Sequence, residues 1–132
     1  MLSLDSEGKL LGQKWFDPSL DSKIGGAVLV DGYIYGSGDN NRSWKALDWD
    51  TGEQMFDSTN VGNGAVIYAD GMLFCYSQRG ELALVPADPS AFRVTGMKKV
   101  AMGTGEHWAH PVINNGRLLL RHGNVLMAFK IK

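Results

Sequence analysis

The chain has one cysteine, Cys75, so it forms no internal disulfide. A lone cysteine does not fix the redox compartment, because many exported proteins have none. Cys75 lies between Phe74 and Tyr76 in an apolar run, which predicts a buried, inert thiol. Histidine is also sparse, at three residues, and proline stands at four. No apolar run approaches the 18 residues or so of a membrane span. The opening MLSLDSEGKLL lacks the basic start and long apolar centre of a signal peptide. No sign of charge dominates: 13 basic against 14 acidic residues leave a net charge of −1, with no electrostatic reason to expect nucleic acid or an anionic membrane as partner.

What the chain does have is glycine, 17 in 132 residues, set between short apolar runs. That combination predicts many turns, little helix and one domain. Residues 26–56 show the pattern best. Ala27–Val30 reads as a strand, Asp31-Gly32 as a hairpin turn and Tyr33–Ser37 as a second strand. Gly38–Asn41 reads as a loop, Trp44–Trp49 as a third strand closed by Asp50-Thr51-Gly52, and Glu53–Phe56 as the start of a fourth. A single sheet of this size cannot cover both of its faces.

Copies of the pattern follow. Val28–Gly32 matches Ile67–Gly71 and Val112–Gly116, and each turn leads into an apolar strand: Tyr33-Ile34-Tyr35, Met72-Leu73-Phe74 and Arg117-Leu118-Leu119. An alanine strand follows each: Ala46, Ala83 and Ala128. The turn glycines Gly32, Gly71 and Gly116 recur at intervals of 39 and 45 residues. Four strands in about 40 residues is the spacing of a β-propeller blade. The reading is therefore all-β, with four-stranded antiparallel blades. Residues 1–25 are the end of a blade with its connector, 26–63 a blade, 64–108 a blade and 109–132 three last strands. Leu10–Phe16 and Phe92-Arg93-Val94 are expected as outermost strands. The three alanines are expected to let blades approach, and Trp15, Phe16, Met55 and Phe56 to fill the wider gap at the rim.

The motif of apolar strand, Asp-Gly, aromatic strand, Ala-Leu-Asp and an acidic Thr-Gly turn is fullest in Trp44–Glu53. It resembles the repeat of pyrroloquinoline-quinone-type (PQQ-like) propellers, the quinoprotein alcohol dehydrogenases and their non-enzymatic bacterial relatives. Residues 103–111, GTGEHWAHP, are similar to those of the PQQ-like propeller proteins of Bacteroidetes-type bacteria, in their C-terminal part. The resemblance implies a ring of six to eight blades and a periplasmic or exported setting. About three blades make an incomplete propeller. The chain is thus expected to be a fragment of a longer propeller, or to self-associate as a dimer that completes the ring. PQQ and calcium are implied only if the parent is a quinoprotein; no cofactor is expected for this chain by itself.

Candidate chemistry gathers in Glu106, His107, Trp108 and His110, joined by His122. As a site these would bind a ligand. The plainer reading is that Trp108 packs, one histidine caps a backbone group and the others are solvated. The His-x-x-His spacing does not place both rings on one strand face, and no helical pair or second cysteine suggests zinc. Asp39, Asn40, Asn41 and Arg42, with Asp48 and Asp50, offer oxygen ligands for a hard cation, though turn chemistry accounts for them. No catalytic set is evident, and Ser77 with His122 lacks the third member of a triad. The expected function is a non-catalytic scaffold that binds a protein or other ligand across its blade tops. The alternatives are a fragment of a quinone-dependent oxidoreductase and, from Trp108 beside Glu106, a glycan-binding or glycan-processing module with a carbohydrate ligand.

Overall fold

The computed structural model describes residues 1–131; residue 132, expected in the last strand group, lies outside the described residues. Among the described residues thirteen strands form four antiparallel sheets. The first pairs β1 (Leu2–Leu4) with β2 (Leu10–Gln13). The second is a meander of β3 (Val28–Val30), β4 (Tyr33–Gly38), β5 (Ser43–Asp48) and β6 (Gln54–Ser58). The third repeats it with β7 (Gly64–Ala69), β8 (Met72–Ser77), β9 (Glu81–Pro86) and β10 (Gly96–Lys99). The fourth holds β11 (Val112–Asn114), β12 (Arg117–His122) and β13 (Val125–Lys130). The second, third and fourth sheets stack face to face in succession, as blades of an incomplete propeller. No helix occurs among the described residues.

The hairpin turns form where expected. Asp31-Gly32, Asp70-Gly71 and Asn115-Gly116 all take positive φ at both positions, the geometry whose twist matches that of the flanking strands. The acidic turn after β5 is built by Asp48. Its Oδ1 accepts hydrogen bonds from Asp50 N, Thr51 N and Thr51 Oγ1 at 2.8–2.9 Å. These bonds, that from Thr51 N first, hold its carboxyl below the usual range.

Between the second and third sheets lies the main core. The second sheet supplies Val30, Tyr35, Trp44 and Ala46, and the third Val66, Leu73, Cys75, Ala83 and Val85. Cys75 is fully buried, and burial pushes its thiol far up. Ser37 ties the two sheets together: its Oγ donates to Gly64 O at 2.8 Å and accepts from Gly64 N at 3.0 Å. A side chain at position 64 has no room, since a Cβ there would stand 1.9 Å from Tyr76 O. A second core joins the third and fourth sheets through Tyr76, Val100, Leu120 and Met127.

Several expectations need correction. Phe92-Arg93-Val94 is not a strand. Phe92 turns inward and stacks on Trp44, with centroids 6.0 Å apart, while also meeting Phe56. Pairing with β9 begins only at Gly96. A buried aromatic thus takes the residues that a regular outer strand would have used. At the start of the chain β2 stops at Gln13, short of Phe16. Trp15 leaves the sheet to lie over Gly52, and its Nε1 donates to Trp49 O at 3.0 Å. Of the four rim residues, Phe56 packs on the core and Trp15 on the turn, whereas Phe16 and Met55 are exposed. Ala83 is also one residue out of step. Cross-strand pairing puts Ala46 opposite Tyr35, Leu84 opposite Phe74 and Ala128 opposite Leu119, so Ala83 faces the other way. Ala46 and Ala83 therefore enter the same core from facing sheets, while Ala128 lies on an open face.

Candidate functional site

Antiparallel meanders place the β4–β5, β8–β9 and β12–β13 loops at one end of the sheets, together with the connectors between sheets. The loop after β10 (residues 100–111) belongs to this end and carries four of the five expected site residues. The structure brings His107 and His122 together. Their rings stack with centroids 3.6 Å apart and planes 17° from parallel.

His122, at the end of β12, is 6% exposed. Its Nδ1 lies 2.7 Å from Met102 O and its Nε2 lies 2.8 Å from Gly105 O. Both ring nitrogens thus rest on backbone carbonyls of the loop, which fixes the ring's orientation. His107 Nδ1 meets the hydroxyl of Tyr76. Burial first, then the charges of His122 and Lys99, push His107 below the ordinary histidine range, against the pull of Glu106. Burial likewise raises the Tyr76 phenol, so the hydroxyl beside His107 Nδ1 keeps its proton. The pair thus clamps the 100–111 loop between the third and fourth sheets. Glu106, Trp108 and His110 point away from it and are exposed. Glu106 and Trp108 share a shallow cavity of about 270 Å³ with Arg121.

A larger cavity, of about 640 Å³, opens on the same end. It draws on five segments of the chain: Lys23 before β3, Asp39 and Arg42 between β4 and β5, Asn63 before β7, Gln78 and Arg79 between β8 and β9, and Trp108. Asp39 organises it. Its side chain is 8% exposed, and Oδ1 accepts from Asn63 Nδ2 and, at 3.1 Å, from Gln78 Nε2. Its Oδ2 accepts from Lys23 N at 3.2 Å and lies 3.9 Å from Lys23 Nζ. Behind the rim, Glu81 Oε2 accepts from Gly62 N at 3.1 Å and Ser77 Oγ at 2.9 Å. Burial alone would raise this carboxyl; those hydrogen bonds, with Lys99 and Arg79 near, outweigh it and hold the group below its usual range.

Of the five expected ligand-binding residues only Trp108 reaches this cavity; Asp39 and Arg42, expected only as cation-site candidates, line it too. Lys23, Asn63, Gln78 and Arg79 were not among the candidates, because isolated polar residues in separate loops carry no local motif. The cation-site candidates divide: Asp39 lies at one end of β5, and Asp48 with Asp50 at the other. Among the described residues no cluster of three or more His, Cys, Asp or Glu side chains is arranged to hold a metal ion.

No protein-family model matches the chain, and no curated protein matches it in sequence. Solved structures do. The chain is similar to BamB from Moraxella catarrhalis, a β-propeller, with a TM-score of 0.74 at 14% identity, over 98% of this chain and 39% of that one. The computationally designed protein Ika8 matches at a TM-score of 0.52 and 12% identity, over 86% of this chain and 36% of that one. The chain therefore spans under two-fifths of the length of each of these proteins. Identities this low carry the fold and nothing of the site.

Proposed function

We propose that this chain is a segment of a PQQ-like β-propeller that serves as a non-catalytic binding scaffold, with the loop-face cavity at Asp39 as its site and a protein as its partner. The cavity is the observation that carries this reading. Its size falls in the ordinary range for ligand sites, and one nearly buried carboxylate ties loops from three segments into a fixed rim. The commitments of three polar side chains support the non-catalytic part: His122 has both ring nitrogens on carbonyls, His107 Nδ1 is on the Tyr76 hydroxyl, and Ser77 Oγ donates to Glu81 rather than to a histidine.

The test is an immobilised peptide library and a glycan array, each probed with the chain and with Trp108→Ala. Peptides retained by the chain and lost with Trp108→Ala support the proposal. Glycans retained in their place would move the site to carbohydrate. A folded chain that retains nothing would remove the reading altogether.

A further inference from the structure

The lining of the 640 Å³ cavity carries more cationic than anionic side chains, in a chain that is otherwise near neutral; the nearby carboxylate of Asp21 lies behind it, on the backbone N–H groups of Asp39 and Asn40. Three cationic side chains line it, Lys23, Arg42 and Arg79, against one carboxylate, Asp39. Both Asp39 oxygens already accept hydrogen bonds, and among the described residues its one cationic neighbour within ion-pair distance is Lys23, at 3.9 Å. Among the described residues neither Arg42 nor Arg79 forms an ion pair. Glu81 is within electrostatic reach of Arg79, but its Oε2 is held by Gly62 N and Ser77 Oγ. The net charge of −1 means that this surplus is local and not a share of a generally basic surface.

Resting on the scaffold reading, we infer that the ligand of this cavity is an acidic peptide segment, whose carboxylates pair with Arg42 and Arg79 and whose apolar or aromatic side chain lies on Trp108. Two forked guanidinium groups on different loops suit successive carboxylates along a chain better than one small anion. Trp108, 54% exposed at the rim, offers a flat apolar face that costs little ordering entropy on binding. Asn63 Nδ2 and Gln78 Nε2 each give one N–H to Asp39, which leaves the two guanidinium groups as the principal charged donors of the cavity, and these favour carboxylates over neutral sugar hydroxyls.

The probe is a short fluorescein-labelled peptide with glutamates flanking a phenylalanine, followed by anisotropy. Its counterpart with lysine for glutamate and an oligogalacturonate serve as comparisons. The expected result is saturable binding of the acidic peptide below about 1 mM that weakens with salt, and no binding of the lysine peptide. The double variant Arg42→Asn/Arg79→Met keeps backbone and stem and should lose about tenfold or more in affinity. Arg42→Glu/Arg79→Glu should reverse the preference toward the lysine peptide; circular dichroism verifies the fold of each variant. Acidic-peptide binding that ignores these substitutions overturns the inference. So does Trp108-dependent binding of the oligogalacturonate without the acidic peptide, which leaves a scaffold with another ligand class. If no probe binds and the library and array also stay blank, the scaffold reading falls with it.

Discussion

Asp31, Arg42, Asp70 and Asn115 are the non-glycine residues with a left-handed backbone among those described. Three of them open Asp-Gly or Asn-Gly turns, where a short polar side chain tolerates this conformation. Arg42 does not. It closes the β4–β5 loop at φ 50°, while the β8–β9 loop uses Gly80 at φ 78°. A long side chain there costs about 1 kcal/mol in backbone strain, set against the unfolded-state entropy that a glycine would add. Arg42→Asn is therefore expected to raise the urea midpoint, by the equivalent of up to about 1 kcal/mol of stability, while weakening ligand binding in the cavity. A lowered midpoint would mean that contacts of the arginine outweigh its strain. His107 gives a second prediction at this scale. Its folded pKa lies below the unfolded value, so the native state binds this proton less tightly than the unfolded chain does. The contribution to stability is complete above the ordinary histidine range, near pH 6.5, and is lost as pH falls from there through the depressed folded value. Urea unfolding at about pH 7.5 and about pH 5.5 should show a drop for the chain, and a smaller drop for His107→Gln. Equal drops would assign the slope to other groups. The carboxylates held low, Glu81 and Asp57 among them, lose their contribution only in a lower window, below the ordinary Asp and Glu range.

Within the second sheet, β5 and β6 enclose a cation that the repeat pattern hides. Lys45 is 1% exposed and stands directly opposite Asp57, with Nζ bonded to the Asp57 carboxylate and, at 3.1 Å, to Gln54 Oε1. The Lys45 hydrogen bond is the first cause that holds Asp57 below its usual range. Asp57→Ala would strand a buried ammonium and is expected to cost about 2 kcal/mol, less than a fully buried pair because Asp57 is partly solvated. Adding Lys45→Met should recover most of that loss. A double variant no more stable than Asp57→Ala alone would mean that Gln54 and water already satisfy Lys45. Differential denaturation of the three proteins decides it. The same element shows where sequence reading succeeds. Strand order and hairpins were legible because Asp-Gly and Asn-Gly impose a backbone conformation wherever they occur. The phase of β9 was not, because an Ala at either of two adjacent positions looks the same in a string, yet one residue of slip turns every side chain to the opposite face. The Phe92 excursion was hidden for a related reason: a strand and an extended arm share one local composition, and only the space between Trp44 and Phe56 distinguishes them.

At the scale of the whole molecule the site itself resists sequence reading. Lys23, Asp39, Asn63, Gln78 and Trp108 are neighbours only because the ends of successive sheets converge. The histidines drew attention by their rarity and are largely spent on holding one loop to two sheets. Stacking of sheets also leaves two faces open. On the first sheet Leu2, Leu4 and Leu10 are all more than half exposed, and on the fourth sheet Val112 and Leu126 are as well, Leu126 at 69%. Cross-strand pairing puts Val112, Leu119 and Ala128 in one row with Leu126 beside it, flanked by Arg121 and Lys130. Each blade in a propeller covers such a face with the next blade. A patch of this kind without its neighbour favours association with a complementary surface, and the exposed first sheet of a second copy is one. The 132-residue chain is therefore expected to self-associate, with an apparent mass that rises with concentration in light scattering. Leu126→Glu, at a solvent-facing position that bears no internal packing, should shift it toward monomer without changing its thermal midpoint at low concentration. A chain that stays monomeric at high concentration would show that the flanking cations and the modest area of the row suffice to keep an open blade face in water.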